Sequence, residues 1–105
     1  MKILIINGPN LNLLGKREPS IYGVERFEDF LAEIKHEFST VNFAYFQSNI
    51  EGELIDRLHS TDEDEYHGII LNAGGYSHTS VALADAVASI ATPVVGIHIS
   101  NIYTR

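Results

Sequence analysis

The sequence predicts an α/β domain in which a mostly parallel β-sheet is wound with helices on both faces. Four short runs rich in apolar residues are bounded by turn residues, as is typical of strands in such a sheet. Segments with helical periodicity separate these runs, so strands and helices alternate along the chain. A length of 105 residues is enough for one domain and too short for two.

The first apolar run, Lys2–Ile6, predicts a buried strand that ends in a long polar loop, Asn7–Gly23. In an α/β sheet, loops at the carboxyl ends of strands are where ligands bind. Loops of this length are usually functional or disordered, and the leucines within this one argue against disorder. We therefore expect it to carry part of a binding site. Its main polar side chains belong to Asn7, Asn10, Asn12, Lys16, Arg17 and Tyr22.

An amphipathic helix is predicted over Val24–Phe38, followed by a second strand over Val41–Gln47. A second helix follows, and the acidic segment Thr61–Glu65 is interpreted as a solvated connection rather than a metal site. The predicted apolar face of the first helix is Phe27, Leu31, Ile34 and Phe38, and that of the second is Ile50, Leu54, Ile55 and Leu58.

The third predicted strand, Gly68–Leu71, ends in the glycine-containing turn Asn72–His78. A helical pattern then covers Ser77–Ile90, and a fourth strand covers Pro93–His98. Proline suits the first position of a strand, where a missing N–H costs least. The predicted inward face of the last helix is Val81, Ala84, Val87, Ala88 and Ala91.

Right-handed crossovers between these elements predict a flavodoxin-like strand order, 2-1-3-4. The first helix then lies on one face of the sheet and the next two lie on the other. Since parallel sheets are normally covered on both faces, the face with a single helix is expected to be incompletely covered. The topology therefore predicts one domain over residues 1–105 that lacks a final strand and helix at its carboxyl end, or is covered by a partner.

The composition favours a cytosolic protein and leaves an anionic small molecule as a possible ligand. The absence of cysteine excludes disulfides and thiolate metal sites, and neither a signal peptide nor a membrane span is visible. The formal net charge of −7 disfavours nucleic acid and anionic membranes as partners. A small anion would have to be held by local donors, such as Arg17 or helix N-termini.

Three strand-end loops are expected to meet at one edge of the sheet: Asn7–Gly23, Asn72–His78 and His98–Asn101. A tyrosine is a useful base only if its pKa falls from about 10 toward neutrality, and a nearby guanidinium favours the phenolate. Arg17 precedes Tyr22 by five residues, so this pairing is plausible.

A histidine across the cleft would then supply the acid. The Gly74-Gly75 turn and the amides around Ile99 and Ser100 are candidates for binding a carboxylate. Taken alone, His98 and Tyr22 are more simply explained as structural residues. Together, however, these groups favour an acid–base site without a metal.

Five motifs follow one another along the chain: Asn7-Gly8-Pro9-Asn10-Leu11; Arg17-Glu18-Pro19 with Tyr22-Gly23; Asn72-Ala73-Gly74-Gly75; Ser77-His78-Thr79-Ser80 with Asp85; and His98-Ile99-Ser100-Asn101. Their sequence and order closely resemble the type II 3-dehydroquinate dehydratases of the shikimate pathway. The resemblance implies a hydro-lyase of aromatic amino acid biosynthesis that converts 3-dehydroquinate to 3-dehydroshikimate through an enolate. It also implies no cofactor, no Schiff base, and trimers packed into a dodecamer.

The resemblance also implies a role for each matching residue. Tyr22 would remove a proton from C2 of the substrate, and Arg17 would keep Tyr22 ionised and stabilise the transition state. Asn10 would stabilise the enolate through a water, and His98 would protonate the departing C1 hydroxyl. The implied substrate-binding residues are Asn72 and His78 for hydroxyls, the amides of Ile99 and Ser100 for the carboxylate, and Asp85 for a neighbouring subunit's site.

Two features depart from the family pattern. Gly96 stands two residues before His98, where the family usually has a glutamate, and the chain ends at Arg105, before the family's next substrate-binding arginine. Two alternatives stay open, of which these departures motivate only the second. One is a non-catalytic flavodoxin-like binder of a small anion or nucleotide, although no phosphate-binding fingerprint is present. The other is a shortened, inactive relative.

Overall fold

The computed structural model describes residues 1–13 and 27–98. Strands and helices alternate through these ranges, and none of the described helices is long and apolar enough to cross a membrane. The strands are β1 (Lys2–Asn7), β2 (Asn42–Gln47), β3 (Gly68–Asn72) and β4 (Val94–Gly96). The helices are α1 (Phe27–Glu37), α2 (Glu51–Ser60), α3 (Tyr76–Thr79) and α4 (Val81–Ser89), and a 3-10 turn spans Leu11–Leu13.

The four strands form one parallel sheet in the order β2-β1-β3-β4, which confirms the predicted topology. β1 lies between β2 and β3, and its last residue, Asn7, is in register with Gln47 on one side and Asn72 on the other. Three strands therefore end at the same level. The turns that follow them start from one edge of the sheet.

The two faces of the sheet are covered as predicted. Leu4 and Ile6 of β1 face α2 and α4, whereas Ile5 faces α1, because successive side chains of a strand point to opposite faces. The larger buried cluster contains Leu4, Ile6, Leu54, Leu58, Ile69, Leu71, Leu83 and Ala86. The smaller one contains Ile5, Phe27 and Leu31, with Phe43, Tyr45 and Ile70 packed against it.

An apolar hollow of about 360 Å³ opens on the α1 face of the sheet. Its lining includes Ile3, Ile70, Phe38 and Val95, and the last two side chains are 51% and 61% exposed. A single helix on this face therefore leaves apolar surface accessible. That the domain lacks a final strand and helix stays a prediction.

The predicted helix over Ser77–Ile90 is wrong in its continuity and in its inward face. Ser80 has extended backbone angles (φ −98°, ψ 101°), ends α3, and caps α4 by accepting a hydrogen bond from Leu83 N at 2.9 Å. This break shifts the buried stripe to Leu83 and Ala86, and leaves Val81 84% exposed. Ala84, Ala88 and Ala91 are exposed as well, and only Val87 of the predicted set packs against the core.

Candidate active site

The turns after β1 and β3 are in direct contact at the carboxyl edge of the sheet. Gly8 N donates a hydrogen bond to Asn72 O at 2.7 Å. A Cβ on Gly8 would lie 2.5 Å from the carbonyl oxygen of Ala73, so only glycine fits there. Gly74 has φ +60° and its own Cβ position would be 3.1 Å from Pro9 O. Glycines thus allow the two backbones to meet, which places Asn10 near the segment that carries His78.

Asn10 follows this contact in a left-handed conformation, with φ 70°. Asparagine is among the few non-glycine residues that adopt it readily. The backbone N–H of Asn10 donates to Asn49 Oδ1 at 2.9 Å, and the residue is exposed. Its own carboxamide is therefore accessible to a ligand at the edge of the sheet.

Asn7 and Asn72 form a buried pair directly beneath the turns. They are register partners on neighbouring strands and are each 0% exposed. Asn7 Nδ2 donates to the Tyr45 hydroxyl at 3.2 Å, and Asn72 Oδ1 accepts from Gly74 N at 3.3 Å.

The other polar atoms of this pair, Asn7 Oδ1 and Asn72 Nδ2, have no hydrogen-bond partner in the described part of the chain. Leaving such an atom buried and unpaired costs about 1–3 kcal/mol, and functional sites are one place where such groups occur. One atom is an acceptor and the other a donor. Within the described residues, the pair therefore offers one free acceptor and one free donor next to the candidate site.

His78 and His98 approach each other across the edge of the sheet. His78 lies on α3 and His98 follows β4, yet their ring centroids are 5.6 Å apart at an interplanar angle of 86°. Both residues are exposed. The structure therefore brings together two predicted site residues that are twenty positions apart in the sequence.

The remaining predicted site residues fall into two groups. Asp85 is exposed on α4, and its carbonyl oxygen accepts a hydrogen bond from Ser89 Oγ at 2.7 Å. Arg17, Tyr22, Ile99 and Ser100 lie outside the described residues.

Tyr45 lies near the site and was not among the predicted site residues. Its ring stacks on Phe27, with centroids 4.9 Å apart, and its hydroxyl accepts from Asn7. Burial raises the pKa of Tyr45 above its usual value; the Asn7 hydrogen bond opposes the rise and the nearby charge of Glu28 adds to it. Tyr45 is therefore a neutral hydrogen-bonding group near pH 7. In the sequence Tyr45 lies among apolar residues of the second strand, so no local pattern indicates its hydrogen bond with Asn7.

Gly96 borders a hollow of about 210 Å³ between β4 and α4. A Cβ at this position would meet no heavy atom within 4 Å in the described structure. Steric crowding therefore does not explain a glycine where the resembling family usually has a glutamate. In residues 1–13 and 27–98, moreover, no group of three or more His, Cys, Asp or Glu residues is arranged to hold a metal ion.

Comparisons with known proteins agree with the motifs and the fold. The family described as "Dehydroquinase class II" matches residues 1–105. The chain is 52% identical over 106 residues to a 3-dehydroquinate dehydratase from Exiguobacterium sp., covering 100% of this chain and 72% of the relative. A relative of the same name from Fusobacterium nucleatum is 48% identical over 109 residues, covering 100% of this chain and 74% of that protein.

A solved structure gives the same result. The crystal structure of type II dehydroquinase from Butyrivibrio crossotus superposes with a TM-score of 0.90 at 42% sequence identity, covering 100% of this chain and 74% of that one. The similarity therefore extends from sequence to three-dimensional structure along the entire length of this chain. This chain belongs to the class II dehydroquinase family.

Proposed function

We propose that this protein is a 3-dehydroquinate dehydratase that removes water from 3-dehydroquinate to form 3-dehydroshikimate in the shikimate pathway. The observation that carries this proposal is the full-length match to the family and to relatives with that name. The meeting of Asn10, Asn72, His78 and His98 at one sheet edge supports it, because the same residues carry the motifs.

The proposed base is Tyr22, kept ionised by Arg17. Positions 14–26 are flanked in the described structure by the 3-10 turn that follows Asn10 and by Phe27, which stacks on Tyr45. Tyr45 in turn is hydrogen-bonded to Asn7, the register partner of Asn72. The residues that flank positions 14–26 thus both lie near the candidate site, which supports a role there for Arg17 and Tyr22.

In the proposed reaction, the Tyr22 phenolate takes the proton from C2, and the electron pair of that bond forms an enolate whose charge lies on the C3 oxygen. Asn10 stabilises this oxyanion through a water. The enolate then expels the C1 hydroxyl, which takes a proton from His98 and leaves as water, so that a C1–C2 double bond forms. Solvent returns the proton from Tyr22 to His98. The reaction exchanges no electrons with a cofactor, and no cofactor is proposed.

The substrate would be held by the amide of Asn72, by His78, and by the backbone N–H groups of Ile99 and Ser100. Asn72 Nδ2 supports its part in this, since it is a donor next to the site that has no hydrogen-bond partner among residues 1–13 and 27–98. We also propose that the protein acts in the cytoplasm as trimers packed into a dodecamer, in which Asp85 reaches a neighbouring subunit's site. The exposure of Asp85 on α4 is compatible with such a contact.

The alternatives of a non-catalytic anion binder and an inactive relative are not favoured. The two relatives reported above are named as 3-dehydroquinate dehydratases, and the solved structure is named as a type II dehydroquinase.

The test is the ultraviolet absorbance of the protein mixed with 3-dehydroquinate, because the product is a conjugated enone and the substrate is not. We expect a steady increase for the unaltered protein and a decrease in rate of at least about a hundredfold for Tyr22→Phe, which removes the proton acceptor. Tyr66→Phe is the matched control, since the Tyr66 hydroxyl accepts from Arg57 away from the candidate site. No turnover by the unaltered protein would refute the function, whereas full turnover by Tyr22→Phe would refute only the base.

A further inference from the structure

Asn49 follows β2 and contacts both turns that carry candidate site residues. Its Oδ1 accepts a hydrogen bond from the backbone N–H of Asn10 at 2.9 Å. Its carbonyl oxygen accepts from the Tyr76 hydroxyl at 3.0 Å, and Tyr76 is the first residue of α3, the helix that carries His78. One residue of the β2 turn thus links the backbone of Asn10 to the His78 helix.

Asn49 is itself held in place by neighbouring groups. Gln47 Nε2 donates both to Asn49 Oδ1 at 3.2 Å and to Gly8 O at 3.1 Å. Ser48 N donates to Asn7 O at 3.1 Å, so the β2 turn is also bonded to the end of β1. The carboxamide of Asn49 therefore receives two donors on one oxygen, and its orientation is fixed from the sheet.

The left-handed backbone of Asn10 is supported by this partner. Its φ of 70° lies in a region that asparagine tolerates but that few other non-glycine residues adopt, so the contacts around Asn10 help to keep it there. Asn49 Oδ1 supplies a contact at the backbone N–H of Asn10 itself. A carboxamide that must stabilise an enolate through a water has to be placed accurately, and a shift of 1 Å can cost about a hundredfold in rate.

We propose that Asn49 is a positioning residue for the dehydratase reaction: it fixes the backbone of Asn10 and, through Tyr76, sets the His78 helix relative to it. This inference rests on the proposed function. In the proposed reaction, Asn49 does not touch the reacting atoms. It acts through the accepting oxygen Oδ1 and through its carbonyl.

The discriminating variants are Asn49→Ala and Asn49→Asp. The alanine removes the acceptor, whereas the aspartate keeps an oxygen at the same place for both donors. We expect Asn49→Ala to lower kcat by about ten- to a hundredfold with a smaller change in KM, and Asn49→Asp to recover most of that loss. Asn42→Ala, the same truncation at the exposed first residue of β2, should leave kcat unchanged.

A double-mutant cycle with Asn10→Ala separates positioning from a general loss of stability. If Asn49 acts mainly through the Asn10 carboxamide, Asn49→Ala should lower kcat much less in the Asn10→Ala background than in the unaltered protein. A full additive loss, a kcat of Asn49→Ala equal to that of the unaltered protein, or an Asn49→Asp variant as slow as Asn49→Ala would each overturn the proposal.

Hydrogen exchange at the Asn10 amide provides a readout that does not depend on turnover. The amide should be protected in the unaltered protein and in Asn49→Asp, and should exchange faster in Asn49→Ala. If the unaltered protein shows no turnover but this pattern holds, the proposed function fails while the Asn49–Asn10 contact stands. If Asn49→Ala leaves the exchange rate unchanged, the contact does not hold Asn10 and the positioning role is refuted.

Discussion

At the scale of the residue, backbone contact between two turns determines which side chains the site can use. Gly8 is the tightest point, because the hydrogen of its Cα faces the Ala73 carbonyl where a methyl group would overlap it. The crowding atoms are backbone atoms, which cannot rotate away as a flexible side chain can. The position of Asn10 therefore depends on the absence of a side chain two residues earlier.

Gly8→Ala should accordingly destabilise the fold and disturb the site together. The added Cβ would lie 2.5 Å from Ala73 O and 2.8 Å from Ala73 C, so one turn must move. Overpacking of this kind costs about 1–3 kcal/mol in the free energy of unfolding, which a urea titration measures. The matched control is Gly52→Ala in α2, where a Cβ has no heavy atom within 4 Å. The control should be neutral or slightly stabilising, since alanine favours helix. Equal stability of the two variants would contradict this account of Gly8.

At the scale of the element, the connection between α4 and β4 depends on one aspartate. Asp62 follows α2 and accepts hydrogen bonds from Ala91 N at 3.1 Å, Thr92 N at 2.9 Å and Thr92 Oγ1 at 2.6 Å. It thereby holds the start of β4, and so the strand that leads to His98. The acidic segment from Thr61 to Glu65 is predicted to be a solvated connection. Within it, the Asp62 carboxylate accepts hydrogen bonds from the segment that precedes β4.

The stability that Asp62 provides should depend on pH. The Thr92 hydroxyl, followed by the Ala91 and Thr92 amides, lowers the pKa of Asp62 in the folded protein below its usual value. Stabilisation from a lowered pKa is fully present above the unfolded value, near 4, and is lost as the pH falls through the folded value. Asp62→Asn should therefore unfold at lower urea concentration than the unaltered protein at pH 7, and the gap should narrow below about pH 4.

Asp56→Asn is the control for this prediction, because it makes the same change of charge on the exposed surface of α2. We expect a much smaller effect of Asp56→Asn at pH 7. A gap between Asp62→Asn and the unaltered protein that is the same at pH 7 and pH 3 would show that the Asp62 bonds do not depend on its charge.

The elements themselves were predictable from local patterns, but several of their contacts were not. Apolar runs and helical spacing gave the strand order and the distribution of helices over the two faces. The break at Ser80 was missed because serine suits a helix cap and also occurs inside helices, so only the packing of α4 decides its role. The contacts of Asn7 with Tyr45 and of Asn49 with Asn10 join residues about forty positions apart. They require the strand register, which no local pattern supplies.

At the scale of the whole molecule, the motifs predicted the family correctly. The number of subunits in the assembly is a further property that a substitution can test. Val81 and Asp85 are four residues apart on α4, so they lie on the same side of the helix. Val81 is 84% exposed in the single chain, so its side chain is available to a contact on this side of the helix. If Asp85 reaches a neighbouring subunit, as proposed above, Val81 should be buried by the same contact.

Val81→Arg should then reduce the size of the assembly, because an arginine would place a charge and extra volume in an apolar contact. Sedimentation velocity measures this directly: we expect a large species for the unaltered protein and smaller species for the variant. Ser39→Arg adds the same charge at an exposed turn on the other side of the sheet and should sediment like the unaltered protein. Activity should fall with the loss of assembly, since Asp85 would no longer reach its neighbour. A Val81→Arg protein that stays fully assembled would place α4 outside the interface and would remove the support for an intersubunit role of Asp85.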